Sequence, residues 1–233
     1  MSGRSNFFTM TRRTLAFLLI WGVTTSAVSL AQHGQDQRRP ADIKEYLEQL
    51  DRPERDQYQK PSQVVEALGL KPGMAVADLG SGSGYFTRRL VEAVTETGMV
   101  YAIDVEQEML TYTKESLVHL HIPFTAEFIL ARPDSPKLPV ESVDLIFVCN
   151  TYHHLENRAT YFSNVKSSLK SGGRVVIVDF YHDERSGPLG FPKHHLVPRE
   201  TVIEEMTKAD YKLLREHTFL PRQYFLEFVP AAS

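Results

Sequence analysis

Hydrophobic positions along this chain switch repeatedly between helical spacing and short continuous runs, from about residue 41 onward. Ile43, Tyr46, Leu47 and Leu50 fall at helical spacing in an otherwise polar stretch, 41–59, which reads as a short amphipathic leader. Pro61 and Ser62 open a second helix through Val64, Val65 and Leu68, and Lys71-Pro72-Gly73 stops it. Met74 to Leu79 is a short apolar strand running into a glycine-rich turn, and Tyr85 to Val94 is helical. Met99 to Ile103 predicts a second strand, Glu106 to Val118 a further helix, and Phe128 to Ala131 a weaker third strand. Val143 to Cys149 is apolar except for Asp144, the pattern of a strand buried on both faces. Ala159 to Leu169 is helical and ends at Ser171-Gly172-Gly173, ahead of a fifth strand, Val175 to Phe180. A helix near Pro198 to Ala209 and strands around Leu213 to Thr218 and Tyr224 to Phe228 follow. Strands alternating with helices in this way predict a doubly wound, mostly parallel α/β sheet.

The 233 residues, 42% of them hydrophobic, suffice for one domain with a full core. A formal charge of −3 excludes a global basic field, so no nucleic-acid partner is expected. The single cysteine, Cys149, rules out an intramolecular disulfide and argues against chemistry that needs several thiolates. The first residues have a different character. Arg4, Arg12 and Arg13 precede an apolar run from Leu15 to about Leu30, which closes on Ser29-Leu30-Ala31. That order is the grammar of a secretory signal, and the run is shorter than the ~20 residues that span a bilayer. The expected organisation is a signal peptide over 1–31, a polar leader or lid over 32–51, and the α/β domain over 52–233. An exported protein, periplasmic or secreted, with no membrane span after processing follows from this. An uncleaved N-terminal membrane anchor is the alternative.

The stretch richest in chemistry is Val76-Ala77-Asp78-Leu79-Gly80-Ser81-Gly82-Ser83-Gly84-Tyr85. A strand that runs through glycines into a helix lets a ligand approach the backbone at the strand's carboxyl end, beside the helix's N-terminal amides. A dinucleotide fingerprint wants glycines at positions 1, 3 and 6, and the sixth here is Tyr85. The glycines fall at 1, 3 and 5, with Asp78 just ahead, and no Gly-Lys-Ser/Thr follows. Asp104 closes the next strand, where a carboxylate can accept both hydroxyls of a ribose.

Asp78-x-Gly80-x-Gly82-x-Gly84, Asp104 and Leu169-Lys170-Ser171-Gly172-Gly173-Arg174 resemble motifs of the class I S-adenosylmethionine-dependent methyltransferases, over roughly residues 52 to 229. Arg52-Pro53-Glu54-Arg55 with Lys60-Pro61, Tyr152-His153-His154, and Leu220-Pro221-Arg222-Gln223-Tyr224-Phe225 resemble segments of small bacterial members of that family. The resemblance implies a seven-stranded Rossmann-like sheet with an antiparallel final strand, and S-adenosylmethionine as cofactor. By the same resemblance, Gly80, Ser81, Gly82 and Gly84 line the methionine portion and Asp78 meets its amino group. Asp104 holds the ribose with Val105 beside it, Asp134 contacts the adenine amine, and Asn150 borders the methionine. A turn-forming aspartate beside Pro133 is the plain alternative for Asp134.

Methyl transfer asks a protein mainly for positioning and exclusion of water. A general base is needed only when the acceptor is protonated at working pH. Tyr152 and His153, after the fourth strand, are the candidate catalytic residues: Tyr152 to orient a small-molecule acceptor and His153 to take its proton. His154 is expected to turn inward and anchor the loop. The leader, with Tyr58 facing the cofactor, and residues 186–195 are candidate covers. Adjacent histidines do not readily share one ion, so His153-His154 and His194-His195 predict no metal site. Two rivals stand beside this reading: an exported, non-catalytic ligand-binding protein on the same fold, and a nicotinamide-dependent oxidoreductase. The second lacks both the third glycine at position 85 and a Tyr-x-x-x-Lys pair.

Overall fold

The computed structural model describes residues 43–121, 123–189 and 193–231. The signal-peptide expectation over 1–31 lies outside them, as do Gly190, Phe191 and Pro192 of the second candidate cover. Seven strands form one sheet: β1 (Ala75–Leu79), β2 (Met99–Asp104), β3 (Ala126–Leu130), β4 (Val143–Cys149), β5 (Leu169–Phe180), β6 (Tyr211–His217) and β7 (Gln223–Pro230). Their order is β3-β2-β1-β4-β5-β7-β6, and β7 alone runs antiparallel to its neighbours. This is the expected doubly wound sheet with its reversed final strand.

Seven α-helices accompany the strands among the described residues: α1 (Ile43–Leu50), α2 (Arg55–Gln59), α3 (Pro61–Ala67), α4 (Thr87–Val94), α5 (Gln107–His119), α6 (Arg158–Val165) and α7 (Arg199–Lys208). Alternating side chains of the central strands feed two cores. Val76, Leu145, Phe147, Val176 and Val178 pack under α3 and α4 through Val64, Leu68, Leu90 and Val94. Ala77, Ile146, Val148 and Ile177 face α6 and α7 through Phe162, Val165, Val202 and Met206. All five residues of β1 and six of the seven in β4 are buried, as central strands covered on both sides require.

Three expectations need correction. The leader is two helices rather than one, because Arg52-Pro53 interrupts it and the residue before a proline is disfavoured in the α region. The helix after the glycine loop starts at Thr87, two residues later than its apolar pattern suggests. β5 begins at Leu169, so Gly172-Gly173 lie inside the strand. Val143 pairs with Leu169 but Leu145 pairs with Arg174, so the ladder breaks there and the intervening residues bulge outward.

β1 and β4 are neighbours at the point where the strand order reverses. The loops leaving them diverge and open a crevice at the carboxyl ends, where ligands sit in sheets of this kind.

Candidate functional site

The glycine loop leaves β1 with Gly80, Gly82 and Gly84 all at positive φ, 78°, 55° and 76°. Each also admits a close neighbour. A Cβ on Gly80 would lie 2.2 Å from Thr151 Oγ1, and one on Gly84 would lie 2.7 Å from Thr113 Cγ2. At Gly82 the neighbour is Leu50 Cδ1, at 3.2 Å. The first of these contacts seats the loop after β4 directly on the loop after β1. The third brings the end of α1 over the middle of the glycine loop.

Asp104 ends β2 and accepts from the backbone N–H of Gly82 at 2.9 Å and of Glu106 at 3.1 Å. Burial raises its carboxyl above the ordinary range, and the backbone donors pull the other way. Asp78 is buried and accepts from Thr87 Oγ1 at 2.6 Å. Burial pushes it up to about 6 despite that bond and the charge of Arg55. Ser81 Oγ is buried with no hydrogen-bond partner among the described residues. A buried hydroxyl left unpaired in the glycine loop suits a ligand carboxylate. Val105 is 52% exposed beside Asp104, available to a flat apolar ring. The residues present therefore fit S-adenosylmethionine, with Ser81 and the loop amides for its carboxylate, Asp78 for its amino group and Asp104 for its ribose.

Asp134 and Asn150, the remaining cofactor candidates, are each engaged with other side chains. Asp134 stands on an exposed turn, where its carboxylate takes Arg132 Nε at 3.0 Å. Asn150 does end β4 in the crevice, at φ 54°, but its side chain is spent on Gln59 and Gln223.

Beyond β4 lie the two catalytic candidates, both buried. Tyr152 is fully buried, stacked on Phe162 at 5.5 Å, and its hydroxyl donates to Glu205 Oε2 at 2.8 Å. Arg158 grips the same carboxylate, so the Tyr152 hydroxyl ties the loop to α7. Of the two histidines it is His153, not His154, that turns inward. His154 is exposed, whereas His153 is buried with Nδ1 2.9 Å from both oxygens of Asp179. The His153 and Phe180 backbone N–H groups also donate to Asp179, at 3.2 and 2.8 Å. Asp179 is a buried acid inside an otherwise apolar strand, Val175-Val176-Ile177-Val178-Asp179-Phe180, and that isolation was its signal in the sequence.

The leader closes over this crevice. Asp51 accepts from Ser83 Oγ at 2.7 Å, Arg88 Nη2 at 2.8 Å and Tyr112 Oη at 3.2 Å. Arg55 lies 3.8 Å above the Tyr85 ring, and Tyr85 donates to Asp56. Tyr85, the residue that breaks the dinucleotide fingerprint, is thus the leader's seat. Tyr58 lies between Arg222, 4.5 Å away, and Phe180, 5.9 Å away. An open groove between α5 and β3 carries neither the glycine loop nor the His153–Asp179 pair. Among the described residues, no group of three His, Cys, Asp or Glu side chains is placed to hold a metal, and no helix is long and apolar enough to cross a membrane.

A family model for a methyltransferase domain matches residues 77–177, from β1 into β5. A ubiquinone/menaquinone biosynthesis C-methyltransferase of Shewanella pealeana is 28% identical over 117 residues, covering 50% of this chain and 47% of that protein. The enzyme of that name from Pseudoalteromonas translucida is 26% identical over 157 residues, covering 66% and 62%. The chain thus spans about half to three-fifths of the length of these relatives. The crystal structure of an S-adenosylmethionine-dependent methyltransferase from Aquifex aeolicus matches with a TM-score of 0.73 and 28% identity, over 80% of this chain and 97% of that one.

Proposed function

The chain belongs to the class I S-adenosylmethionine-dependent methyltransferases, and we propose that it methylates a ring carbon of a small hydroxylated aromatic acceptor, with His153 as the base. The observation that carries this reading is the buried His153–Asp179 pair at the ends of β4 and β5. A methyltransferase has use for a base only when its acceptor arrives protonated, as phenols and carbon acids do. With Nδ1 held by Asp179, Nε2 is the ring nitrogen left to exchange a proton with an acceptor. That nitrogen takes the proton of a ring hydroxyl and so raises the electron density on the carbon beside it. When bound, S-adenosylmethionine supplies an electrophilic methyl group whose bonding electrons leave with sulfur. The methylated carbon's own proton then passes to a water molecule as the ring regains aromaticity, and His153 returns its proton to the ring oxygen. Only 7% of His153 is exposed, so the proton transfer is screened from bulk water. The names of the two bacterial relatives support a carbon acceptor on a quinol-like ring.

Purified protein incubated with reduced naphthohydroquinone and methyl-labelled S-adenosylmethionine should yield a product carrying the label on a ring carbon. Label on oxygen, or no transfer to any hydroxylated aromatic by protein that binds S-adenosylhomocysteine, overturns the proposal.

A further inference from the structure

Three side-chain amides from distant parts of the chain meet in the core behind the crevice. Gln59 is the last residue of α2, Asn150 follows β4, and Gln223 is the first residue of β7. Gln59 and Gln223 are fully buried. Asn150 Nδ2 donates to Gln59 Oε1 at 3.1 Å, and Gln59 Nε2 donates to the Cys149 sulfur at 3.3 Å. Gln223 Nε2 donates to Asn150 Oδ1 at 2.5 Å and faces Gln59 Oε1 at 3.4 Å.

These bonds fix the orientation of the Gln223 amide. Its nitrogen sits between two carbonyl oxygens, and turning the amide over would set oxygen against oxygen. Gln223 Oε1 is left with no partner among the described residues, although its side chain is completely buried. A buried carbonyl oxygen without a donor is unfavourable, and a ligand's O–H or N–H relieves it.

We propose that this amide cluster is the subsite that orients the acceptor, and that Gln223 Oε1 accepts a hydrogen bond from a neutral hydroxyl of it. Its position supports this. Thr151, next to Asn150, packs on Gly80, so the cluster borders the methionine end of the cofactor cradle. Phe180 pairs with Gln223 across the β5–β7 ladder and with the Tyr58 ring 5.9 Å away forms an aromatic wall. Arg222, beside Tyr58, is held by the carbonyl oxygens of Ser186 and Pro188.

A neutral amide oxygen accepts from a hydroxyl that keeps its proton and offers nothing to an oxyanion. This hydroxyl is therefore a different one from that which His153 deprotonates. Successive residues of a strand point to opposite faces, so Asp179 with His153 and Phe180 with Gln223 bracket the end of β5. A flat diol beyond that strand end presents one hydroxyl to each. The subsite thus specifies an aromatic acceptor with two hydroxyls. It rests on the crevice being the acceptor site with His153 as its base, but not on which atom receives the methyl.

The test is binding to full-length protein saturated with S-adenosylhomocysteine, read by calorimetry. Reduced naphthohydroquinone should bind at least tenfold more tightly than naphthalene, which keeps the flat ring and has no donor. Gln223→Met, checked for native circular dichroism, should lose most of that preference and keep its S-adenosylhomocysteine affinity within about twofold. Equal binding of diol and naphthalene by the wild type overturns the subsite, and that measurement stands even if the variant fails to fold. A folded variant that retains the full preference also overturns it. Binding of the diol that depends on Gln223 without any methyl transfer supports the subsite while removing the proposed reaction.

Discussion

The backbone N–H of Gly82 donates to Asp104 Oδ2 at 2.9 Å, so the middle of the glycine loop and the acid that closes β2 are one unit. The bond orients the carboxylate across the crevice and holds the loop in its left-handed conformation at the same time. Replacing Asp104 by alanine should weaken S-adenosylhomocysteine binding by roughly 1.5–3 kcal/mol, the worth of hydrogen bonds to a charged group. Calorimetry on folded protein checks this, and unchanged affinity would remove Asp104 from the ribose site.

Asp78 gives the site a pH dependence. Its carboxyl ionises at about 6 in the folded chain, against an ordinary 3.8, because burial disfavours the charge. Between those values the folded chain holds a proton that the unfolded chain has released, so the group's contribution to stability falls as pH rises through the window. The cofactor's ammonium needs the ionised form, so S-adenosylhomocysteine affinity should rise through the same window, by about tenfold per unit below 6. Titrations from acid to neutral pH should show this slope and should flatten in Asp78→Asn. A slope retained in the variant assigns the dependence to another group.

Asp179→Asn should lower turnover at least tenfold on any acceptor that must lose a proton, by releasing the tautomer and orientation of His153. S-adenosylhomocysteine affinity should stay within about twofold, since Asp179 lies across the crevice from the glycine loop. Loss of cofactor affinity in step with turnover would show a general collapse of the site instead.

Tyr152→Phe separates the tyrosine from its neighbour. The variant loses a buried hydrogen bond to a carboxylate that Arg158 still holds, which costs about 1–2 kcal/mol of stability. Urea unfolding should show that loss, with turnover unchanged. A large fall in turnover at full stability would return Tyr152 to the chemistry.

The sheet and the cofactor loop were legible in the sequence because both rest on local pattern. β4 is an apolar run interrupted only by Asp144, and closely spaced glycines after a strand mark a turn that only glycine enters freely. The acceptor side was harder to read because its partners are far apart in the chain. Nothing local says whether His153 or His154 points inward, since that depends on Asp179 arriving through the β4–β5 pairing. Gln59, Asn150 and Gln223 carry ordinary amides that gain meaning only when α2, β4 and β7 converge. The segments Arg52-Pro53-Glu54-Arg55 and Leu220-Pro221-Arg222-Gln223-Tyr224-Phe225 did hold the missing residues, Arg55 and Gln223, without saying what either touches.

The place of β7 between β5 and β6 also sets an order on assembly. Every strand from β1 to β5 can find its partner as soon as its predecessors exist, but β5 keeps a bare edge until β7 has been made and inserted. That edge belongs to Val175-Val176-Ile177-Val178, an apolar β-branched run of the kind that recruits strands from other chains. A nascent or truncated chain lacking residues 223–230 is thus both an aggregation hazard and a protein without Gln223. Completion of the sheet and completion of the Gln59–Asn150–Gln223 cluster are therefore the same event.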